Sequence, residues 1–379
     1  MSWPTVNLSD LCEINVGKTP ARNNDSYWGT GYPWLSIADM AQGRDILVTK
    51  EEITEKAVKE TNIKVVPKGT VLFSFKLSIG KIGVATRDLY TNEAIAALPI
   101  KDRRILCEDY LVHALSCWEN GISINRAVMG LVLNKAILSE IKIPLPSLNE
   151  QKRIAAILNK ADSISYKRQQ AIKLADNFLR SVFLDKFGDP ITNPKKWKIR
   201  SLNELGHVIT GSTPPSSKED MFGNEVPFVT PGDLNSNISR VNRWLTKEGA
   251  THSRVCRSGS LMACCIGATI GKVGIANMES AFNQQINVIE WGEDINDLYG
   301  YFVFKLYPKL ITENAIKTTL PILKKSLFEQ IQIPIPSKEK QKEFAVIVTA
   351  CWKLLEKQKI SLGLPIFDSL SQKAFAGEL

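Results

Sequence analysis

Between residues 154 and 182, apolar side chains recur at alternating steps of three and four: Ile154, Ile157, Ala161, Ile164, Arg168, Ala171, Ala175, Phe178 and Val182, all apolar but Arg168. That spacing is the a/d seam of a coiled coil and predicts one long helix. Ahead of it, Ile143-Pro-Leu-Pro146 is extended, because proline fixes φ and drives the preceding residue out of the α region. Ser147 followed by Glu150 predicts a capping box at the helix start, and Gly188-Asp-Pro190 ends the run. A helix from Ser147 to Phe187 is about 60 Å long at roughly 1.5 Å per residue. A second seam, Phe344, Ile347, Cys351 and Leu354, follows Ile333-Pro-Ile-Pro336, with Ser337 as cap and Lys340 where the box glutamate would stand. Gly363 and Pro365 predict a break over 361–365, since an interior proline loses a hydrogen bond and clashes with the preceding turn. Elsewhere the pattern is short and strand-like, as in Thr70–Phe75 and Ser260–Cys265, with short helices over Cys107–Ser116 and Asp297–Tyr307.

The pattern is written twice. Val16-Gly-Lys-Thr-Pro20 recurs as Thr210-Gly-Ser-Thr-Pro214, and Pro33-Trp-Leu-Ser-Ile-Ala-Asp39 as Pro227-Phe-Val-Thr-Pro-Gly-Asp233, both displaced by 194. Ile79-Gly-Lys-Ile-Gly-Val-Ala85 matches Ile270-Gly-Lys-Val-Gly-Ile-Ala276 at a displacement of 191, and Ile143-Pro-Leu-Pro-Ser matches Ile333-Pro-Ile-Pro-Ser at 190, each copy reaching Gln-Lys at 151–152 and 341–342. Order is kept and the offset drifts by only four residues, which small loop deletions explain. Between these anchors the copies diverge: Tyr27–Tyr32 bears little likeness to Met221–Glu225, and Ala41–Lys64 little to Asn235–Arg254. Each copy is one scaffold with its own variable segments. The fold class this implies is α+β in two tandem repeats, with globular mixed α/β domains over 1–146 and 191–336. Each is followed by a helical segment, 147–190 and 337–379, and the two helices pair as an antiparallel coiled coil.

Composition narrows the partners. The 379 residues carry 48 Lys+Arg against 39 Asp+Glu, a net charge of +9, which suits a polyanion without requiring one. Hydrophobic residues make up 44% and charged residues 23%, the balance of a globular chain rather than a disordered one. No apolar run is long enough to span a bilayer, and the first ten residues lack the features of a secretory signal, so a cytoplasmic protein is expected. The seven cysteines include no C-x-x-C pair and have three histidines to partner them, so buried thiols are expected rather than a disulfide framework or a metal site.

Catalytic signatures are missing. Gly267-Ala-Thr-Ile-Gly-Lys272 is one residue too short for a P-loop, and Val273 stands where Ser or Thr would hold Mg²⁺. Pro214-Pro215 follows Thr213 and precedes Ser216, unlike the Asn/Asp-Pro-Pro-aromatic run of amino-methyltransferases. No nucleophile elbow or His-Glu-x-x-His occurs.

The repeated Gly-x-Thr-Pro, the Ile-Gly-Lys-x-Gly segment, the Ile-Pro-x-Pro-Ser-x-x-x-Gln-Lys helix entry and the closing Gln372-Lys-Ala-Phe-Ala-Gly-Glu-Leu379 together resemble the specificity subunit of type I restriction-modification systems. The likeness covers essentially the whole chain, in order and in both copies. It implies a non-catalytic reader of double-stranded DNA whose globular parts are target recognition domains and whose helices are spacers. It also implies two methyltransferase subunits and ATP-dependent restriction and translocation subunits as partners. S-adenosylmethionine, ATP and Mg²⁺ are then expected on those partners and no cofactor on this chain. Two further readings stand beside it: a stand-alone two-domain DNA-binding regulator, and a self-contained enzyme acting on DNA through scattered metal ligands.

Under the DNA-reading hypothesis, contact residues belong in variable polar loops, since Arg reads guanine, Asn or Gln reads adenine, and phosphates set register. The candidates are Lys18, Arg22, Asn23, Asn24, Lys76 and Arg126 in the first copy, and Ser212, Lys218, Arg240, Arg243, Lys317 and Thr318 in the second. Each is equally compatible with solvated surface charge. Lys81 and Lys272 sit at equivalent positions in Ile-Gly-Lys-x-Gly and are expected to serve the scaffold or a phosphate. Trp34 and Phe228 are expected in the core.

Overall fold

The proline runs that precede both long helices form edge strands. Lys142–Pro144 pairs antiparallel with Thr5–Asn7, and Gln332–Ile335 with Lys198–Ser201. This computed structural model describes residues 3–76, 78–120, 133–215, 219–234, 238, 241–316, 319–360 and 366–379. The chain divides into two compact units, residues 1–168 with 362–379, and residues 169–361.

In the first unit, a five-stranded sheet runs in the order Asn15–Val16, Ile95–Leu98, Val71–Ser74, Ile82–Ala85, Asp45–Ile46. Val71–Ser74 and Ile95–Leu98 are buried at every position, which is why Val71–Phe73 and Ile95–Leu98 read as unbroken apolar runs rather than alternating ones. A second sheet sets Trp28–Leu35 between Glu51–Ile53, antiparallel, and Tyr90–Thr91, parallel. The second unit repeats this plan. Its first sheet is Gly206–Thr210, Ile286–Trp291, Leu261–Cys264, Val273–Ile275, and its second places Phe222–Val229 between Arg243–Leu245 and Ser280–Phe282, with Arg254–Cys256 at the edge. The helices expected near 107–116 and 297–307 are observed as Glu108–Asn120 and Asp297–Leu306.

The repeated Gln-Lys helix entry has a plain structural cause. Gln151 is completely buried: its Nε2 donates to the carbonyls of Ile105 and Pro146, both at 2.9 Å, while its Oε1 accepts from the Cys107 N–H at 2.9 Å. Gln341 does the same in the second unit, donating to Asp294 and Pro336 at 3.0 and 2.9 Å and accepting from the Asn296 N–H at 2.7 Å. An amide offers two donors and an acceptor in fixed geometry, so it ties the proline run, the start of the domain helix and the start of the long helix together. Tyr110 and Tyr299 reinforce the tie, donating to the Pro144 and Pro334 carbonyls at 2.7 Å each.

The first long helix is Leu148–Phe187, closed by Gly188 at φ 78°, and the second is Lys338–Ile360. Helix is described again over Ile366–Ala376, while Gly363 and Pro365 lie outside the described residues. Only half of the capping box forms. The Glu150 N–H reaches Ser147 Oγ at 3.4 Å, but the Glu150 carboxylate turns to Arg153 at 2.7 and 2.9 Å, a stronger charge-assisted pair.

Ile154, Ala155 and Leu158 of the first helix enter the core of the first unit beside Tyr110, Leu111, Ala374 and Phe375. Trp3 Nε1 donates to the Ala374 carbonyl at 2.9 Å, and Arg153 to that of Leu379 at 2.7 Å. In the core of the second unit, Leu179, Phe183 and Phe187 pack with Phe344, Val348 and Tyr299, the Phe183 ring lying 5.6 Å from Phe344.

The apolar seam departs from the expected positions. Ile154, Ala161 and Phe344 are buried, and Ile157, Ile164, Ala171, Ala175, Val182, Ile347 and Cys351 are half-buried. Phe178 and Leu354 are 53% and 65% exposed, whereas Leu179 and Phe183 are buried. The core of the second unit meets the first helix at Leu179, Phe183 and Phe187, a 3.6-residue face one position on from Phe178 and Val182.

None of the seven cysteines is in a disulfide, and burial pushes the thiols of Cys12, Cys256 and Cys265 up to about 12, so these three are not nucleophiles. Among the described residues no helix is long and apolar enough to cross a membrane.

Candidate nucleic-acid interface

The two Gly-x-Thr-Pro turns exist because backbone approaches backbone there. A Cβ on Gly17 would lie 2.2 Å from the Asn92 carbonyl oxygen, and one on Gly211 2.1 Å from that of Asn283. The following amides, Lys18 and Ser212, donate to the Thr91 and Phe282 carbonyls at 2.8 and 3.0 Å. Ile-Gly-Lys-x-Gly is likewise a tight turn, with Gly80 and Gly271 at φ 91° and 89°, where a side chain would be strained. Lys81 Nζ donates to the Ile37 carbonyl at 3.2 Å and serves the scaffold, while Lys272 is exposed. The Asp that closes each Pro-Trp/Phe motif is also structural. Asp39 and Asp233 are buried and accept from the N–H and hydroxyl of Ser36 and Thr230.

On this frame each unit raises one bulged hairpin. In the first, both Trp28 and Tyr32 pair with Ile53, so Gly29-Thr30-Gly31 is an excursion from the ladder. In the second, Phe222 and Val226 both pair with Leu245, and Gly223-Asn224-Glu225 is the excursion. All six excursion residues are exposed. Bulges bend a strand and re-aim its side chains. The shape is thus preserved through a stretch in which the two copies share little sequence.

The candidate residues fall into four groups. Arg22 and Arg243 both lie over aromatic faces of these hairpins. The Arg22 guanidinium sits 3.8 Å from the Trp28 ring centroid and 4.9 Å from that of Trp34, and Arg243 lies 4.4 Å from Phe222 and 5.8 Å from Phe228. Arg22 is also gripped by both oxygens of Glu51, a hydrogen-bonded pair that raises its pKa above the ordinary arginine value. The second group is occupied with local structure. Lys18 Nζ donates to the Thr61 carbonyl at 2.7 Å, Asn24 caps the turn at Ser26, and the Ser212 carbonyl accepts from Ser253 Oγ at 2.7 Å. Lys76 Nζ lies 5.4 Å from the Phe75 ring, and Asn23 is exposed. Arg126, Lys218, Arg240, Lys317 and Thr318 lie outside the described residues.

Sequence reasoning missed Glu51 and the partnership of Trp28 with Trp34, whose rings meet edge to face at 5.0 Å. Aligning the copies at 194 sets Trp28 over Phe222 and Trp34 over Phe228, a signal that was available. Trp34 and Phe228 are each 1% exposed, core residues as expected.

Residues 2–174 and 194–362 match the model of the type I restriction modification DNA specificity domain. The chain belongs to the type I restriction-modification specificity subunits. It is 28% identical to the type I restriction enzyme MjaIX specificity subunit of Methanocaldococcus jannaschii, over all of this chain and 93% of that one. It is 31% identical over 153 residues to the HindI specificity subunit of Haemophilus influenzae, a match spanning 38% of this chain and 33% of the relative. A crystal structure of the type I restriction-modification S subunit from M. genitalium shares the fold, with a TM-score of 0.66 at 17% identity over 99% of this chain and 96% of that one.

Proposed function

We propose that each unit is a target recognition domain reading one half of an asymmetric, bipartite duplex target, and that the long helices set the gap between the half-sites and dock two methyltransferase subunits. The observation that carries this reading is the repeated bulged hairpin, identical in register and unlike in side chains. Equal frames engage equivalent backbone, whereas unequal side chains select different base edges. The two helices run antiparallel as a spacer. In support, the C-terminal turns of Leu148–Phe187 meet the first turns of Lys338–Ile360 through Phe183, Phe187 and Phe344, and Lys186 pairs with Glu343 at 2.7 Å. Exposed Tyr166, Leu174, Phe178, Val346 and Leu354 give the helices apolar faces suited to partner subunits.

The chain itself is the non-catalytic reader. Its methyltransferase partners carry S-adenosylmethionine and flip an adenine from each half-site, and the restriction and translocation subunits carry ATP and Mg²⁺. Methylation mapping of DNA from cells expressing this chain with its methyltransferase, against cells lacking the chain, tests the reading. N6-methyladenine at a split asymmetric motif that vanishes without the chain is expected. An unmarked genome with a methyltransferase shown to be active refutes it.

A further inference from the structure

Both hairpins hold an arginine over the same pair of aromatic positions, yet the arginines come from different places in the chain. In the ladder, Trp34 faces Glu51 and Phe228 faces Arg243. Glu51 and Arg243 therefore occupy the same register position of the two hairpins, with opposite charge. In the second unit that position supplies the cation directly, and among the described residues no carboxylate pairs with Arg243. In the first unit it supplies a carboxylate, and the cation arrives from the preceding loop as Arg22, with both guanidinium ends on Glu51 and a further pull from Glu93.

We propose that this register position is a specificity determinant, and that Glu51 acts by withholding Arg22 from DNA while its counterpart Arg243 is presented to it. The inference rests on the DNA-reading function proposed above and assigns unequal tasks to two arginines that lie over the same pair of aromatic positions. A planar guanidinium held flat on an aromatic face has lost most of its rotamer freedom and keeps its N–H edge for an acceptor, the arrangement suited to guanine O6 and N7 or to a phosphate. In Arg22 both terminal nitrogens already donate to the Glu51 carboxylate oxygens. The Arg22–Glu51 pair is net neutral, so the first hairpin meets DNA with its excursion residues and with the charge of Arg22 offset by Glu51.

The test uses the full chain with its methyltransferase, binding a mixed-sequence duplex at salt concentrations from about 50 to 200 mM, with methylation mapping of the same variants. Glu51→Gln keeps shape and removes charge. It should tighten binding several-fold at the low-salt end and steepen the log–log salt slope by about one. Adding Arg22→Ala to Glu51→Gln should abolish that gain. Arg243→Ala should weaken binding on the order of tenfold or more and relax one half-site of the methylated motif. An unchanged salt slope for Glu51→Gln, or a gain that survives Arg22→Ala, overturns the assignment to Glu51. A wild-type complex that marks no split motif overturns the underlying reading instead. Melting temperatures within a few degrees of wild type confirm that a variant reports on binding.

Discussion

Replacing Gln151 by leucine should cost the first unit about 3–5 kcal/mol. The side chain is fully buried and makes three hydrogen bonds, two to carbonyls and one from the Cys107 N–H. Leucine fills a similar volume, so the loss is polar rather than a cavity. Each bond contributes roughly 1 kcal/mol net, and the stranded carbonyls and amide add a desolvation penalty. For a unit of this size, about 2–4 °C of melting temperature per kcal/mol gives a fall of about 6–20 °C. Differential scanning calorimetry of the full chain reads this directly, and Gln341→Leu should lower the stability of the second unit comparably because its three bonds are the same in kind. Gln151→Glu should be at least as damaging, since a carboxylate would face two carbonyl oxygens. A drop below about 2 °C for Gln151→Leu would refute the amide tie, showing that water replaces the bonds.

Three other outcomes can be checked. Gly17→Ala and Gly211→Ala should each destabilise by about 2 kcal/mol or more, read by urea unfolding, because a methyl group has no room beside the Asn92 and Asn283 carbonyls. His113 is buried, with Nε2 2.8 Å from Asn159 Oδ1 and with Asp162, Asp109 and Arg44 around it, and burial lowers its pKa from 6.5. The unfolded chain then binds that proton more readily, so stability is full above pH 6.5 and falls as the pH drops toward the folded value. His113→Phe, the residue its counterpart position holds in Phe302, should flatten melting temperature across that window. Inserting four residues near Gln170 adds about 6 Å of helix and should lengthen the gap in the methylated motif, and an unchanged gap would contradict the spacer role.

Much of the architecture was legible because the repeated motifs mark places where backbone geometry permits few residues. Gly17 and Gly211 stand where no Cβ fits, and Gln151 and Gln341 stand where only an amide satisfies three partners, so both pairs survive divergence and expose the repeat. The bulged hairpins were not legible. Their register is kept by ladder hydrogen bonds and by aromatic bulk at 28/222 and 34/228, which tolerate the exchange of nearly every neighbour. The seam failed at Phe178 because the core of the second unit meets the helix at Leu179 and Phe183 instead. Arg22 and Arg243 were both read as candidate DNA contacts, because pairing with Glu51 is a contact across 29 residues that local pattern does not record. Nor does local pattern record that residues 362–379 complete the first unit.

That last feature bears on the order of events during synthesis. Domains ordinarily fold in the order in which the ribosome delivers them, at roughly 5–20 residues per second. Here Ala374 and Phe375 belong to the same core as Leu8, Val71 and Ile154. The first unit therefore waits for a segment made after residues 169–361, all of which are available sooner. A nascent chain halted before residue 374 would carry an unfilled apolar slot in its N-terminal unit. Such a product would be prone to aggregation and proteolysis, so that chains carrying both units persist in preference to truncated ones.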